Sequence, residues 1–197
     1  HRQQASGQIV RAKVDEAWVR EAGACPCPPR HYARIADRLT EAGAKRIVFN
    51  VPLSGPTQPA DDRLFAEALR RSERAVLTVK TKSGPFAGAE QAPVPYARFT
   101  KSARLASITA QYNYQNAVWQ LPYATDFSGK ALPSVSAVLG DRASPVSGTF
   151  MVDYSIDPRS IPTISAASIL NGRFPEEQLP GKSVVAVNLA VYLAQLG

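Results

Sequence analysis

The chain has two histidines, His1 and His31, which limits the acid–base chemistry that it can perform. A serine or cysteine hydrolase needs a nucleophile beside a base, and that base is usually histidine. His31 falls on the first turn of a predicted helix, where a solvated side chain is the ordinary interpretation. The chain contains neither the G-x-S-x-G sequence of a nucleophile elbow nor the phosphate-binding sequence G-x-x-x-x-G-K-[ST]. We therefore expect that this protein is not an enzyme.

Cys25, Cys27 and His31 are the residues whose types could bind a metal ion. Two thiolates and an imidazole would suit zinc, but the fourth ligand is missing and a C-x-C pair is a weak signal. The alternative is a proline-stiffened loop that holds two small apolar side chains. A direct disulfide between Cys25 and Cys27 would close a very small, strained ring with a proline inside it. We expect no metal, no cofactor and no bridge between these cysteines.

Two pairs of adjacent acids, Asp15-Glu16 and Asp61-Asp62, suggest either general acid–base chemistry or helix capping. Neighbouring residues point in different directions on a helix, and both pairs stand where a helix is predicted to begin. Capping is therefore the better interpretation.

The aromatic residues Tyr112, Tyr114, Trp119 and Tyr123 form a further candidate site. They could form a stacking platform, although a hairpin with this composition more often packs one face into a core.

The formal net charge is +7, and the sequence pI is near 9.6. The basic residues are scattered among acids and apolar residues. The densest cluster, Arg70, Arg71 and Arg74, stands where a helix should end and its dipole favours cations. We therefore expect no nucleic-acid partner.

Strand and helix patterns alternate in the first part of the chain. Strands are predicted at residues 8–14, 46–51, 75–79 and 182–187, of which 46–51 and 182–187 are of the buried type, and helices at 30–42 and from Asp61 or Asp62 to Arg71. This alternation predicts parallel strands joined by helical crossovers. A hairpin over residues 105–123 should extend the sheet antiparallel. The predicted fold is α/β, a single domain over residues 1–197 with a mixed, largely parallel sheet flanked by helices and an antiparallel hairpin extension.

No stretch reaches the roughly 20 apolar residues that a membrane span needs. The nearest, Val184–Leu196, is short and contains Asn188 and Gln195. Because the chain begins at His1 without a methionine, we expect it to be an excised piece of a longer protein.

Several short motifs in a fixed order resemble the second type of CHASE domain, a sensory module of bacterial receptors. V-D-E-A at residues 14–17 is similar to the family's I-D-E-A-S, and C-P-C-P-P-R at 25–30 is similar to its W-P-W-P-R. I-V-F-N-V at 47–51 resembles its strand V-V-F-D-V. The most specific part is I-P-T-I-S-A-A at 161–167 with L-N-G-R at 170–173, followed by L-P-G-K-S-V-V at 179–185.

The chain departs from the family pattern at a few positions. Cysteines stand where tryptophans are usual, Asn50 replaces an aspartate, and Asn188 replaces a glycine. The fold inference survives these changes, but no ligand preference of the family can be transferred to this chain.

The resemblance implies an extracytoplasmic signal-sensing domain of a bacterial inner-membrane receptor, lying in the periplasm or outside the cell. It implies a small-molecule ligand and a cytoplasmic output in the same longer chain, which would be a cyclase, a histidine or serine/threonine kinase, or a cyclic-di-nucleotide enzyme. The alternative is a structural or dimerisation module without a small ligand, acting as a homodimer.

Polar residues at the ends of predicted strands give the ligand-binding hypothesis. Ligands of open parallel sheets bind beyond the carboxyl ends of the strands, near the point where strand order reverses. Asp15, Asn50 and Asn188 stand at three such ends, and Arg30 follows the proline-rich loop and could attract an anionic ligand. We expect these four residues to converge on one concave site. The alternative is that they cap helices or bond to loops.

Overall fold

The computed structural model describes residues 2–23, 27–81, 94–110, 112–115, 117–142 and 147–188. Its strands are β1 (Ile9–Val14), β2 (Arg46–Asn50), β3 (Ala75–Val79), β4 (Arg104–Ser107), β5 (Gln120–Pro122), β6 (Ala124–Phe127), β7 (Lys130–Pro133), β8 (Thr149–Met151), β9 (Thr163–Ser165) and β10 (Ser183–Asn188). Its α-helices are α1 (Glu16–Ala22), α2 (Pro29–Glu41), α3 (Pro59–Ser72), α4 (Ala97–Thr100), α5 (Val135–Leu139) and α6 (Ala166–Leu170). None of the helices in these ranges has the length and apolar character needed to cross a membrane.

The main sheet has six parallel strands in the order β4-β3-β2-β10-β1-β9. From β1 the chain moves to β2, β3 and β4 at one edge, returns to β9 at the other, and finally inserts β10 between β1 and β2. The prediction that β1, β2, β3 and β10 form a parallel sheet is confirmed. Since all six strands run in one direction, their carboxyl ends meet at one edge of the sheet.

Helices cover both faces of this sheet, but unequally. Ile47 and Phe49 of β2 face a large core shared with α1, α2, α3, α4 and α6. Val48, which lies between them, belongs to a smaller cluster packed against α5. This alternation follows from the two-residue period of a strand with both faces buried.

Aromatic rings dominate the larger core. Phe65 of α3 lies 5.4 Å from Phe49 and 5.1 Å from Phe99, measured between ring centroids. Tyr32 of α2 stacks on Trp18 of α1 at 5.8 Å. All five rings are almost completely buried, so they fix α1, α2, α3 and α4 on the sheet.

The antiparallel hairpin lies downstream of the segment where the sequence placed it. Arg104–Ser107 is β4, the parallel edge strand beside β3, whereas Gln120–Pro122 is β5 and pairs antiparallel with β8 outside the main sheet. The hairpin is formed by β6 and β7 around Ser128-Gly129, whose φ angles are 54° and 77°. Positive φ at both central residues is the geometry of a tight hairpin turn. Residues 111 and 116, within the predicted hairpin, lie outside the described residues.

The start of α3 also differs from the sequence prediction. The helix begins at Pro59 with Gln58 as its N-cap, so neither Asp61 nor Asp62 is the cap. Proline is favoured in the first turn because its fixed φ suits the helix and its missing N–H has no helical partner there. Asp62 instead accepts hydrogen bonds from the N–H and the hydroxyl of Thr57, at 3.0 and 2.7 Å.

Candidate functional site

Three of the four predicted site residues lie at the carboxyl-terminal edge of neighbouring strands. In the parallel register, Asn188 of β10 is the partner of Val14 in β1, and Asn50 of β2 is the partner of Val187. Asp15 directly follows Val14. Strand β10 lies between β1 and β2, and adjacent strands are about 4.8 Å apart. The backbones at Asp15 and Asn50 are therefore about two strand spacings apart. The side chain of Asn188 lies outside what the structure describes.

Arg30 reaches the same edge on the first turn of α2. Because α2 leads into β2 and α3 leads into β3, both helices begin at the carboxyl-terminal edge. Arg30 Nη1 lies 2.6 Å from Asp61 Oδ2. The Asp61 side chain is 11% exposed and that of Arg30 is 50% exposed, so this ion pair joins the first turns of the two helices at the surface.

Asn50 is half-buried at the end of β2, and its side-chain amide oxygen accepts a hydrogen bond from the neighbouring strand β3. The hydroxyl of Thr78 donates to Asn50 Oδ1 at 3.1 Å. This bond satisfies one acceptor at the end of an apolar strand, where an unpaired polar group would be costly.

Asp15 connects the end of β1 to two helices. Its Oδ1 accepts the backbone N–H of Trp18 at 3.1 Å, which caps α1, and the hydroxyl of Ser165 at 3.3 Å, which belongs to β9 just before α6. The capping interpretation of Asp15-Glu16 is therefore correct for Asp15.

Asp15 also lines a surface cleft of about 390 Å³ between α1 and α6, called here the Asp15 cleft. Neither Arg30 nor Asn50 lines it. The cleft is bordered by Asp15, Ala17, Arg20, Glu21, Ser165, Ala167, Ser168, Asn171 and Arg173.

The end of α6 places Arg173 at the rim of the Asp15 cleft. The N–H of Gly172 donates to the carbonyl of Ile169 at 3.1 Å, and the N–H of Arg173 donates to the carbonyl of Ser168 at 2.8 Å. With Gly172 at φ +66°, this pair of bonds is a Schellman motif. It turns the chain sharply and fixes the backbone of Arg173 beside the last turn of α6.

The Asp15 cleft contains two cationic and two anionic side chains. Arg20 and Arg173 are exposed, and neither has a carboxylate oxygen within 4.0 Å among the residues that the structure describes. Within the same ranges, Glu21 likewise has no ion pair, and Asp15 Oδ2 has no hydrogen-bond donor. The cleft therefore contains positively charged donors and negatively charged acceptors that have no partner among the described residues.

His31 is half-buried, so the expectation of a solvated histidine is wrong. Its ring meets the edge of Trp18 with centroids 5.8 Å apart, and its buried Nε2 has no hydrogen-bond partner in the described part of the chain. Burial lowers the pKa of His31, and the charges of Arg30 and Arg34 lower it further. His31 on the first turn of α2 packs against Trp18 of α1, a contact that the helical pattern of α2 alone does not reveal.

Trp18 Nε1 donates to Cys27 Sγ at 2.6 Å inside the core. Cys25 lies outside the described residues, and its predicted state stays a prediction. No group of three or more histidine, cysteine, aspartate or glutamate side chains that could hold a metal ion occurs within the described ranges.

Of the nine residues that line the Asp15 cleft, sequence reasoning proposed only Asp15 as a site residue. Ser165 and Arg173 belong to the motif segments at 161–167 and 170–173, and this was the available signal. Arg20 and Glu21 give no comparable signal, because each is an ordinary charged residue on a short helix.

Comparison with known proteins gives one family. A family model described as CHASE2 domain matches residues 1–187. No curated protein and no solved structure matches the chain.

Proposed function

The chain belongs to the CHASE2 domain family, and from this premise we propose that it senses a small ligand as the extracytoplasmic domain of a bacterial transmembrane receptor. The family is one of extracellular sensor domains, which fits a binding module better than an enzyme. In the proposed arrangement residues 1–197 form one domain in the periplasm or outside the cell. Ligand occupancy shifts the receptor between signalling states and so regulates a cytoplasmic cyclase, kinase or cyclic-di-nucleotide enzyme in the same longer chain.

One observation supports ligand binding above the others. The segments that carry the family resemblance near the start and in the last third of the chain, residues 14–17 and 161–173, come together around the Asp15 cleft. Such a cleft at the carboxyl ends of parallel strands is the usual place for a ligand. We propose that Asp15 contacts the ligand directly, and that Arg30, Asn50 and Asn188 extend the site along the same edge of the sheet.

A thermal-shift screen of small metabolites on the purified chain tests this function. At least one compound should raise the melting temperature in a concentration-dependent way. Asp15→Asn and Asn50→Ala should each reduce the shift, and Asn50→Ala should weaken binding by about 1–3 kcal/mol, the cost of an unpaired buried group. Arg104→Gln, at the start of the far edge strand β4, is the matched control and should respond like the wild type.

The function is contradicted if no compound in the screen stabilises the chain. It is also contradicted if every compound that does so acts equally on Asp15→Asn, Asn50→Ala and the control.

A second candidate function, a dimerisation module, is favoured by the surface around β5 and β8. Residues 105–125 contain no charged residue, although 20% of the whole chain is charged. Most of the large apolar side chains that are exposed in the described ranges lie here, namely Tyr112, Tyr114, Trp119, Met151, Tyr154 and Ile156. Surfaces rich in exposed tyrosine and tryptophan are typical of interfaces. A second copy of this chain suits the surface, because two copies with a net charge of +7 repel least where no positive charge is present, and residues 105–125 and 147–156 contain no lysine or arginine.

Sedimentation of the wild type and of Trp119→Ser, Met151→Ser tests this alternative. Trp119 is 50% exposed and Met151 is 64% exposed, so the double substitution should leave the fold stable and abolish a concentration-dependent dimer. A monomeric wild type at high concentration, or a dimer that survives the substitutions, would contradict it.

A further inference from the structure

We propose that the Asp15 cleft binds a small zwitterion, an α-amino acid or a short peptide, with its ammonium group against Asp15 and its carboxylate between Arg20 and Arg173. This inference rests on the proposed ligand-sensing function and adds the chemical class of the ligand.

The carboxylates that line the cleft are suited to an ammonium group. Asp15 Oδ1 is engaged by Trp18 and Ser165, whereas Oδ2 has no donor among the described residues. A carboxylate accepts hydrogen bonds at both oxygens, and an ammonium group supplies three donors. Glu21 also lines the cleft and adds a second negative charge.

The two arginines that line the cleft are suited to a carboxylate. Arg20 lies on α1 and Arg173 follows α6, so the two arginines border the cleft from different elements. Guanidinium groups bind carboxylates through paired, charge-assisted hydrogen bonds. Elsewhere in the molecule Arg30 and Arg71 already have such partners at 2.6 and 2.9 Å, but the two arginines of the cleft have none in the described ranges.

The balance of charge favours a zwitterion over a simple anion. The whole chain carries a net charge of +7, but the cleft lining contains two positive and two negative side chains and is neutral. A simple anion would be attracted by Arg20 and Arg173 and repelled by Asp15 and Glu21. A zwitterion satisfies both pairs at once.

The size and lining of the cleft limit the ligand's side chain. About 390 Å³ lies near the lower end of the range of roughly 300–1,000 Å³ for ligand pockets. Ala17 and Ala167 are the apolar residues in the lining, while Ser165, Ser168 and Asn171 supply hydroxyl and amide groups. This lining favours a small or polar side chain over a large apolar one.

Titration calorimetry on the purified chain tests the inference. The probes are glycine, L-alanine, L-serine, L-asparagine and Gly-Ala, each beside its N-acetyl and its carboxamide form. At least one zwitterion should bind, and blocking either end should lower its affinity tenfold or more.

Substitutions should separate the two ends of the ligand. Asp15→Asn keeps an oxygen that caps α1 but removes the charge, so it should lower zwitterion affinity tenfold or more and leave the already weak N-acetyl form unchanged. Arg173→Gln should reduce zwitterion affinity by a similar factor and leave the carboxamide form unchanged. Arg104→Gln should change neither.

Equal binding of free and blocked forms, or zwitterion binding that survives both Asp15→Asn and Arg173→Gln, would overturn the inference. If none of these probes binds but another metabolite stabilises the chain in an Asp15-dependent way, the zwitterion is wrong and the sensing function stands. If no compound binds in either experiment, both proposals fail.

Discussion

Gly172→Ala should destabilise the protein more than Gly181→Ala, although both glycines have similar backbone angles. Gly172 has φ +66° and Gly181 has φ +75°. A Cβ added at Gly181 would meet nothing within 4 Å. At Gly172 it would lie 3.0 Å from Cζ of Arg38 on α2 and closer still to Nη1 of the same guanidinium group.

The cost of Gly172→Ala has two parts, the strain of a positive φ and the displacement of the Arg38 side chain, and each can be estimated separately. A residue with a Cβ in the left-handed region costs about 1–2 kcal/mol relative to glycine, so this range applies to both substitutions. The displaced Arg38 side chain adds an overpacking cost of about 1–3 kcal/mol, with the lower end expected because a long side chain can move. Gly172→Ala should therefore lower the free energy of unfolding by about 2–3 kcal/mol, and Gly181→Ala by about 1–2 kcal/mol.

Urea unfolding followed by circular dichroism measures this difference, provided that the slope with denaturant is unchanged. In an Arg38→Ala background the guanidinium is absent, and Gly172→Ala should cost only as much as Gly181→Ala. Equal costs in the wild-type background, or an excess for Gly172→Ala that persists without Arg38, would refute the reasoning.

Three further predictions concern the titration of His31, the hydrogen bond between Trp18 and Cys27, and the packing of Phe65. Burial holds the pKa of His31 below its ordinary value of 6.5, so the unfolded chain binds a proton more readily than the folded chain. The contribution of His31 to stability is therefore complete above about pH 6.5. It is lost as the pH falls towards the pKa of the folded state. Urea midpoints should thus decline less between pH 7.5 and 5 in His31→Gln than in the wild type, and parallel declines would contradict this. Cys27→Ala should cost about 1–3 kcal/mol in urea unfolding because the buried indole N–H of Trp18 loses its acceptor, and an unchanged midpoint would show that this bond contributes nothing. Phe65→Ala should cost about 3–5 kcal/mol because the ring is fully buried, whereas Leu64→Ala, 47% exposed, should cost under about 0.5 kcal/mol, and similar midpoints for the two variants would contradict this packing.

The parallel strands could be predicted because a strand that is buried on both faces has a recognisable local sequence, a continuous run of apolar residues. Ile47-Val48-Phe49 is an uninterrupted apolar run, and such runs are typical of strands covered by helices on both sides. The helix between β2 and β3 then restricts them to a parallel arrangement. These inferences need only neighbouring residues and short connections.

The partner of β4 could not be predicted in the same way. Leu105 and the following residues have strand composition, but composition does not say whether a strand joins its successor or an earlier strand. The structure pairs β4 with β3, and the tight turn occurs instead at Ser128-Gly129, where two positive φ angles are needed. Gln115-Asn116, in the middle of the predicted hairpin, also has a composition that suits a tight turn, so local preference alone did not give the position of the turn.

The Asp15 cleft was only partly predictable for a related reason. Asp15 stands at a strand end, which is a local signal, but Arg20 and Arg173 are more than 150 positions apart in the chain. They share a cleft because α6 packs beside α1, a long-range contact that no short segment encodes. Charged residues on short helices are usually solvated, so their types alone do not indicate a site.

Structural and ligand-binding roles need not be alternatives for Asp15. The capping bond and the bond from Ser165 both engage Oδ1, which restricts the orientation of the carboxylate before any ligand arrives. A group that is already ordered loses little conformational entropy on binding, so a capping residue is well placed to serve as a ligand contact. The same reasoning applies to Arg173, whose backbone is fixed by the turn at Gly172. The motif residues of this chain therefore include some that shape the backbone and some that line the cleft, and resemblance in sequence does not separate the two. Substitutions that keep the capping bond while removing the charge do separate them.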